Sequence, residues 1–93
     1  MAIEEVLSSK GRLRILKVLT KMEKLHLSEI TKRTGLNHTT AVKHLQFLEN
    51  LNLVEHKRFG RIRIYRLNDK NPKVKVIKTL FELWEQTQNP DQK

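Results

Sequence analysis

Thr39, Lys43 and Gln46 stand in a run whose apolar residues, Ala41, Leu45 and Leu48, recur at four- and three-residue spacing. If the apolar set faces inward, helical rotation of about 100° per residue carries the polar three to the opposite side. Their chemistry suits the edges of base pairs. A threonine hydroxyl donates or accepts, a Thr or Val methyl can touch a thymine methyl, and a lysine ammonium reaches guanine O6 or N7. Thr40 and Val42 flank the strip, and His38 lies in its first turn, where free backbone N–H groups can hold a phosphate. The competing reading is an ordinary solvated polar face.

A second group of charges follows closely. Lys57, Arg58, Arg61, Arg63 and Arg66 surround Phe59-Gly60, with only Glu55 opposing them. Cations on a hairpin can straddle phosphates or place an arginine in a minor groove. They can equally protect a sheet edge from pairing with another chain, and both roles can hold at once. Phe59 reads either as an exposed tip or as a small core plug. Ile64 and Tyr65 break the strict alternation, which a bulge or burial on both faces would explain.

These groups need elements to position them. Ile3, Val6 and Leu7 mark a short opening helix over about 2–8. Ser8-Ser9 offers caps for a helix over Lys10–Met22, with Leu13, Leu16, Val18 and Leu19 as its apolar set and a basic outer face. Leu25–Leu27 reads as a short strand. Ser28 is expected to cap a third helix with Ile30 inward, and Gly35 to end it in the left-handed conformation. Asn37 is expected to cap the helix that carries Thr39 and Lys43. Val54–Arg58 and Arg61–Leu67 form the hairpin. Asn71-Pro72 opens a last helix over about 72–88, whose stripe of Val74, Ile77, Leu80, Phe81 and Trp84 is widened by Val76 and Leu83. Residues 89–93 are polar and read as a flexible tail.

The chain of 93 residues suits one domain, assigned here to 1–88, with a small core because only 38% of residues are apolar and 5% aromatic. Its formal charge of +9, from 19 Lys and Arg against 10 Asp and Glu, attracts polyanions. No apolar run approaches membrane-spanning length and no signal peptide is visible, so no membrane role is expected. With no cysteine there is no disulfide and no thiolate metal site, which fits the cytoplasm. The four histidines, His26, His38, His44 and His56, lack a shared ligand spacing, and His44 is expected to pack or hydrogen-bond within the core. Neither a nucleophile–base set nor a glycine-rich phosphate loop is present. Neither enzyme activity, nor a metal, nor a cofactor is therefore expected.

Four segments carry a resemblance to a family. Leu7-Ser-Ser-Lys-Gly-Arg-Leu-Arg-Ile-Leu16 resembles the opening of ArsR-type winged-helix repressors, and Gly35 through Leu48 resembles their reading segment at the same length. Leu51–Glu55 and Gly60–Leu67 resemble the run into the wing and its return strand. The likeness spans roughly Leu7 to Leu67, with MarR-type proteins as second choice. It implies a symmetric homodimer, paired through its first and last helices, whose reading helices enter successive major grooves. Metal-sensing members carry paired cysteines or clusters of His and acidic residues on the last helix. This chain has no cysteine and no histidine after His56, so the resemblance does not extend to metal response.

The expected fold is mainly α with a small β-hairpin wing (α+β): a winged helix-turn-helix of about five helices and a two- to three-stranded antiparallel sheet. The expected function is a homodimeric, sequence-specific transcriptional regulator, a repressor, on an inverted-repeat operator in double-stranded DNA. Bases fall to His38, Thr39, Thr40, Lys43 and Gln46. Phosphates fall to Asn37, Lys57, Arg58, Arg61 and Arg63, with Arg14 and Lys32. The dimer interface falls to Ile3, Val6, Leu7, Ile77, Leu80, Phe81 and Trp84. A sequence-tolerant architectural protein and a protein-binding winged helix remain as alternatives. For Lys73, Lys75 and Lys78, set against the dipole of the last helix, the options are a phosphate, an acidic partner or plain solvation.

Overall fold

Helix starts in this chain are set by side chains that satisfy otherwise free backbone N–H groups. The computed structural model describes residues 3–88; the expected tail at 89–93 lies outside them. After α1 (Ile3–Leu7), Ser9 Oγ accepts from the Arg12 N–H at 3.2 Å and opens α2 (Lys10–Lys21). Asn37 Oδ1 accepts from Thr40 N at 2.9 Å to open α4 (His38–Asn50). Asn71 Oδ1 accepts from Lys73 N at 3.0 Å and, with Pro72 in the first turn, opens α5 (Pro72–Thr87).

The third helix departs from expectation. α3 (Leu27–Thr34) is capped by His26, whose Nδ1 accepts from Ser28 N at 3.2 Å, and not by Ser28. The strand β1 (Leu25–His26) runs into α3 without a loop, which leaves Ser28 already inside the helix. Gly35 then closes α3 at φ 76°, donating its N–H to Thr31 O at 2.9 Å. Glycine bears this left-handed backbone without steric cost.

Strands β2 (Val54–Phe59) and β3 (Ile62–Leu67) join β1 in an antiparallel sheet of order β1-β3-β2. Their register is unbroken from Val54↔Leu67 to Phe59↔Ile62. The hairpin thus has no bulge, and the adjacent apolar pair is explained by its two faces: Tyr65 is buried in the core and Ile64 half-buried on the outside. A two-residue turn joins the strands, with Gly60 at φ 64° in its first position.

Ile15, Leu16, Ile30, Ala41, Leu45 and Leu48 are fully buried, with Tyr65 and Val74 closing the core from the sheet and from α5. On α2 the buried set is Ile15, Leu16 and Leu19, while Leu13 and Val18, expected inside, are only half-buried. α2 touches α1, α3, α4, α5 and β3, so its apolar arc is turned by several neighbours at once. The junction below is tied by asparagines. Asn52, at φ 62°, presents its carbonyl to Asn68 Nδ2 at 3.1 Å and Asn71 Nδ2 at 2.9 Å.

Helices α2 and α4 approach where Gly11 lacks a side chain. A Cβ there would lie 2.6 Å from His44 Nε2. Loss of water at this contact, and then the positive charge of Arg12, lower the His44 pKa below its ordinary value. A histidine with a depressed folded pKa binds fewer protons than the unfolded chain does. Stability should therefore fall as pH drops from about 6.5 toward the lowered folded value, and level off below it. Thermal unfolding from pH 7.5 to 5 should show this slope in the wild type and a shallower one in His44→Gln. Parallel curves would remove His44 as the source.

Candidate nucleic-acid interface

With Ala41, Leu45 and Leu48 buried, α4 presents His38, Thr39, Lys43 and Gln46 to solvent. Thr40 is half-buried and its N–H is committed to Asn37, which places it at the margin of the strip. Asn37 in turn uses Oδ1 to cap the helix, so only its amide NH2 remains for a phosphate. The strip is thus one face of a helix whose opposite face is locked into the core, as the apolar spacing predicts.

The hairpin divides the wing's cations between two faces. Because partners across an antiparallel ladder share a face, Arg58 and Arg63 lie directly opposite each other on the face that carries Tyr65. Arg63 Nη1 donates to Tyr65 Oη at 3.3 Å. Lys57, opposite Ile64, lies on the other face with Phe59 and Ile62, and Arg61 sits in the turn. Like charges placed directly opposite destabilise a hairpin, so this pair is stabilised when an anion shares it.

Arg66 belongs elsewhere. It pairs with Glu55 at 3.5 Å and with Asp69 at 3.6 Å, which withdraws one of the wing's five cations. Among the described residues, Lys43, Lys57, Arg58, Arg61 and Arg63 have no carboxylate within 4.0 Å. The same holds for Arg14 and Lys32 on the flank, although Arg14 donates to the Thr34 carbonyl at the end of α3, at 3.4 Å. Of the lysines at the start of α5, Lys78 finds its acidic partner within the chain, Asp69 at 2.7 Å, while Lys73 and Lys75 stay exposed.

Two contacts that position the site left no mark in the sequence pattern. His56 Nδ1 on β2 meets Glu49 Oε2 near the end of α4, and the imidazole packs on the Tyr65 ring at 4.8 Å between centroids. This half-buried pair ties the base of the hairpin to α4. Arg12 lies 3.7 Å above the Phe47 ring and fastens α2 to the same helix. Both join residues on different elements, so no local spacing announces them.

The apolar residues of the first and last helices fall into two groups. Val6 is buried within the subunit, and Ile77 and Phe81 are half-buried against its core. Ile3, Leu7, Val76, Leu80, Leu83 and Trp84 are exposed, Trp84 by 63%. Glu85 holds the far end of α5 to α2 through Lys17 at 3.4 Å and Lys21 at 3.3 Å. The helix therefore folds over its own subunit along one edge and leaves a continuous apolar strip on the other. Among the described residues no helix is long and apolar enough to cross a membrane, and no group of three or more His, Asp or Glu could hold a metal ion.

Comparison with known proteins gives these elements a context. The family model described as "Bacterial regulatory protein, arsR family" matches residues 9–56, which spans the start of α2 to the first residues of β2. No curated protein sequence matches. Among solved structures, the homodimeric winged helix-turn-helix DNA-binding domain of a possible ArsR-family transcriptional regulator from Mycobacterium bovis is 30% identical. It superposes with a TM-score of 0.71 over 90% of this chain and 77% of that one. The AntR antimony-specific transcriptional repressor is 23% identical, with a TM-score of 0.76 over 92% of this chain and 77% of that one. HlyU from Vibrio cholerae is 24% identical, with a TM-score of 0.73 over 91% of this chain and 86% of that one. The last two speak for the fold alone.

Proposed function

The chain belongs to the arsR family of bacterial regulatory proteins and is a winged helix-turn-helix, DNA-binding transcriptional regulator; from that premise we propose that it acts as a homodimeric, sequence-specific repressor on an inverted-repeat operator. One observation carries the reading: an exposed polar strip on α4 lies in the same small domain as four wing cations, and neither Lys43 nor these four has an acidic partner among the described residues. Lys43, Thr39 and Gln46 read bases, assisted by His38 and Thr40. Lys57, Arg58, Arg61 and Arg63 hold phosphates, with Arg14, Lys32 and the Asn37 amide on the flank. Base contacts confer sequence choice and phosphate contacts confer affinity.

The exposed strip of α1 and α5 supports dimerisation, since a two-fold axis lets one such strip cover its copy. The dimer presents two reading helices and acts in the cytoplasm, where the DNA is. The chain has no cysteine, and the reading includes no metal-responsive step.

Selection of bound duplexes from a random pool is expected to recover an inverted repeat with half-site centres about one helical turn apart. Lys43→Ala should lose about tenfold or more in affinity for that site and relax one position of it, while random DNA is bound as before. A ratio near one between the best selected site and random DNA would instead mark a sequence-tolerant architectural protein. Wild-type discrimination by Lys43→Ala would remove Lys43 from base reading.

A further inference from the structure

The wing ends in an apolar pair that phosphate binding does not use. Phe59 and Ile62 face each other across the last rung of the hairpin, on the side opposite Tyr65, and are 59% and 42% exposed. Neither belongs to the core; they pair with each other across the strands, which steadies the hairpin but leaves most of the Phe59 ring exposed. The same two strands and turn carry Lys57, Arg58, Arg61 and Arg63, which have no acidic partner among the described residues. An apolar tip ringed by cations is complementary to a ligand that is anionic outside and apolar within.

From this we infer that Phe59, backed by Ile62, is an apolar wedge that enters the DNA minor groove and partly unstacks a flexible base step; the inference rests on the reading of the wing as a DNA-binding arm. Phosphates on both walls of the groove meet the cations, while deoxyribose and base-edge carbons meet the ring. Apolar side chains inserted between base steps act in this way, and pyrimidine–purine steps such as TA yield most easily. A protein partner fits less well. One aromatic tip covers about 150–250 Å², against about 800 Å² per partner in a stable protein interface. Phe59 thereby reads deformability, which adds sequence preference beside the bases touched by α4.

The test needs no knowledge of the operator. Alternating poly(dA-dT), which has a TA step at every second position, is compared with poly(dA)·poly(dT), which is stiff and narrow-grooved. The wild-type protein should favour the alternating polymer about fivefold, and should brighten 2-aminopurine placed in a TA step. Phe59→Ala should lose about tenfold in affinity for the alternating polymer, lose the preference and leave the probe dark, with the fold intact by circular dichroism at the binding temperature. Phe59→Leu should keep most of the effect, because leucine also wedges. Arg61→Ala serves as the reference, with an expected loss on both polymers.

If Phe59→Ala matches the wild type while Arg61→Ala weakens binding, the wedge is refuted and the wing still binds DNA; the tip is then left to a protein contact. If neither substitution weakens binding, the DNA reading of the wing fails and the wedge fails with it.

Discussion

Replacing Arg58, Arg61 and Arg63 together by glutamine should weaken binding to every duplex, cognate or random, by about a hundredfold to a thousandfold near physiological salt. Each lost phosphate contact reduces the slope of log affinity against log salt by about 0.9, so the three together should flatten it by nearly three. The fold should not suffer. Arg58 and Arg63 oppose each other across the hairpin, and removing like charges from that position relieves a repulsion of a few tenths of a kcal/mol. The Arg63 bond to Tyr65 Oη is a small loss of similar size. An unchanged melting temperature beside a flattened salt slope would thus separate phosphate binding from damage to the wing. If affinity fell only for the selected site and the slope kept its value, the three arginines would be base readers.

The other large effect concerns α5. Leu80→Glu combined with Trp84→Glu should convert a dimer into a monomer, raising the dimer dissociation constant by more than about a thousandfold. Burial of a large apolar side chain is worth about 1.5–3 kcal/mol, and an unpaired carboxylate in its place adds a desolvation cost. Both residues are exposed in the subunit, Leu80 by 42% and Trp84 by 63%, so the monomer should stay folded. Sedimentation would show the change in mass, and circular dichroism would show an intact helix content. Binding to an inverted repeat should fall to that of a single half-site. Were the double variant to sediment as the wild type does, the strip would not be the dimer surface. Val74→Glu is the useful contrast, because Val74 is buried in the subunit core and its replacement should unfold the chain.

Where a residue's role depends on its near neighbours, the sequence was a good guide. Ala41, Leu45 and Leu48 had to face one way because helical rotation is fixed, and Thr39, Lys43 and Gln46 followed to the other side. Ser9, Asn37 and Asn71 cap the helices they precede, since a cap acts within three residues of itself. Gly35 ends α3 for an equally local reason. Even here one neighbour misled: the strand that ends at His26 gave that residue the capping place expected of Ser28.

Charge in the wing was less legible. Arg66 looks like its neighbours in sequence, yet Glu55 and Asp69 claim it; Lys78 looks free and is held by Asp69. The Glu49–His56 tie and the stack of Arg12 on Phe47 join separate elements. So does the seat of His44 against Gly11. Apart from Asp69, three residues from Arg66, and Glu55, visible in the sequence as the wing's opposing charge, these pairs join positions that no local spacing relates.

By itself, then, the sequence determined which elements form, which face of α4 is apolar, and that a basic hairpin follows a helix with a polar outer strip. Those properties arise from dihedral preference and periodicity, which act over a few residues. The tertiary structure alone decided which cations pair with carboxylates among the described residues, that Phe59 stands outside the core, and which edge of α5 remains open. Each of those depends on strand register or helix packing, and so on the distance between atoms far apart in the chain.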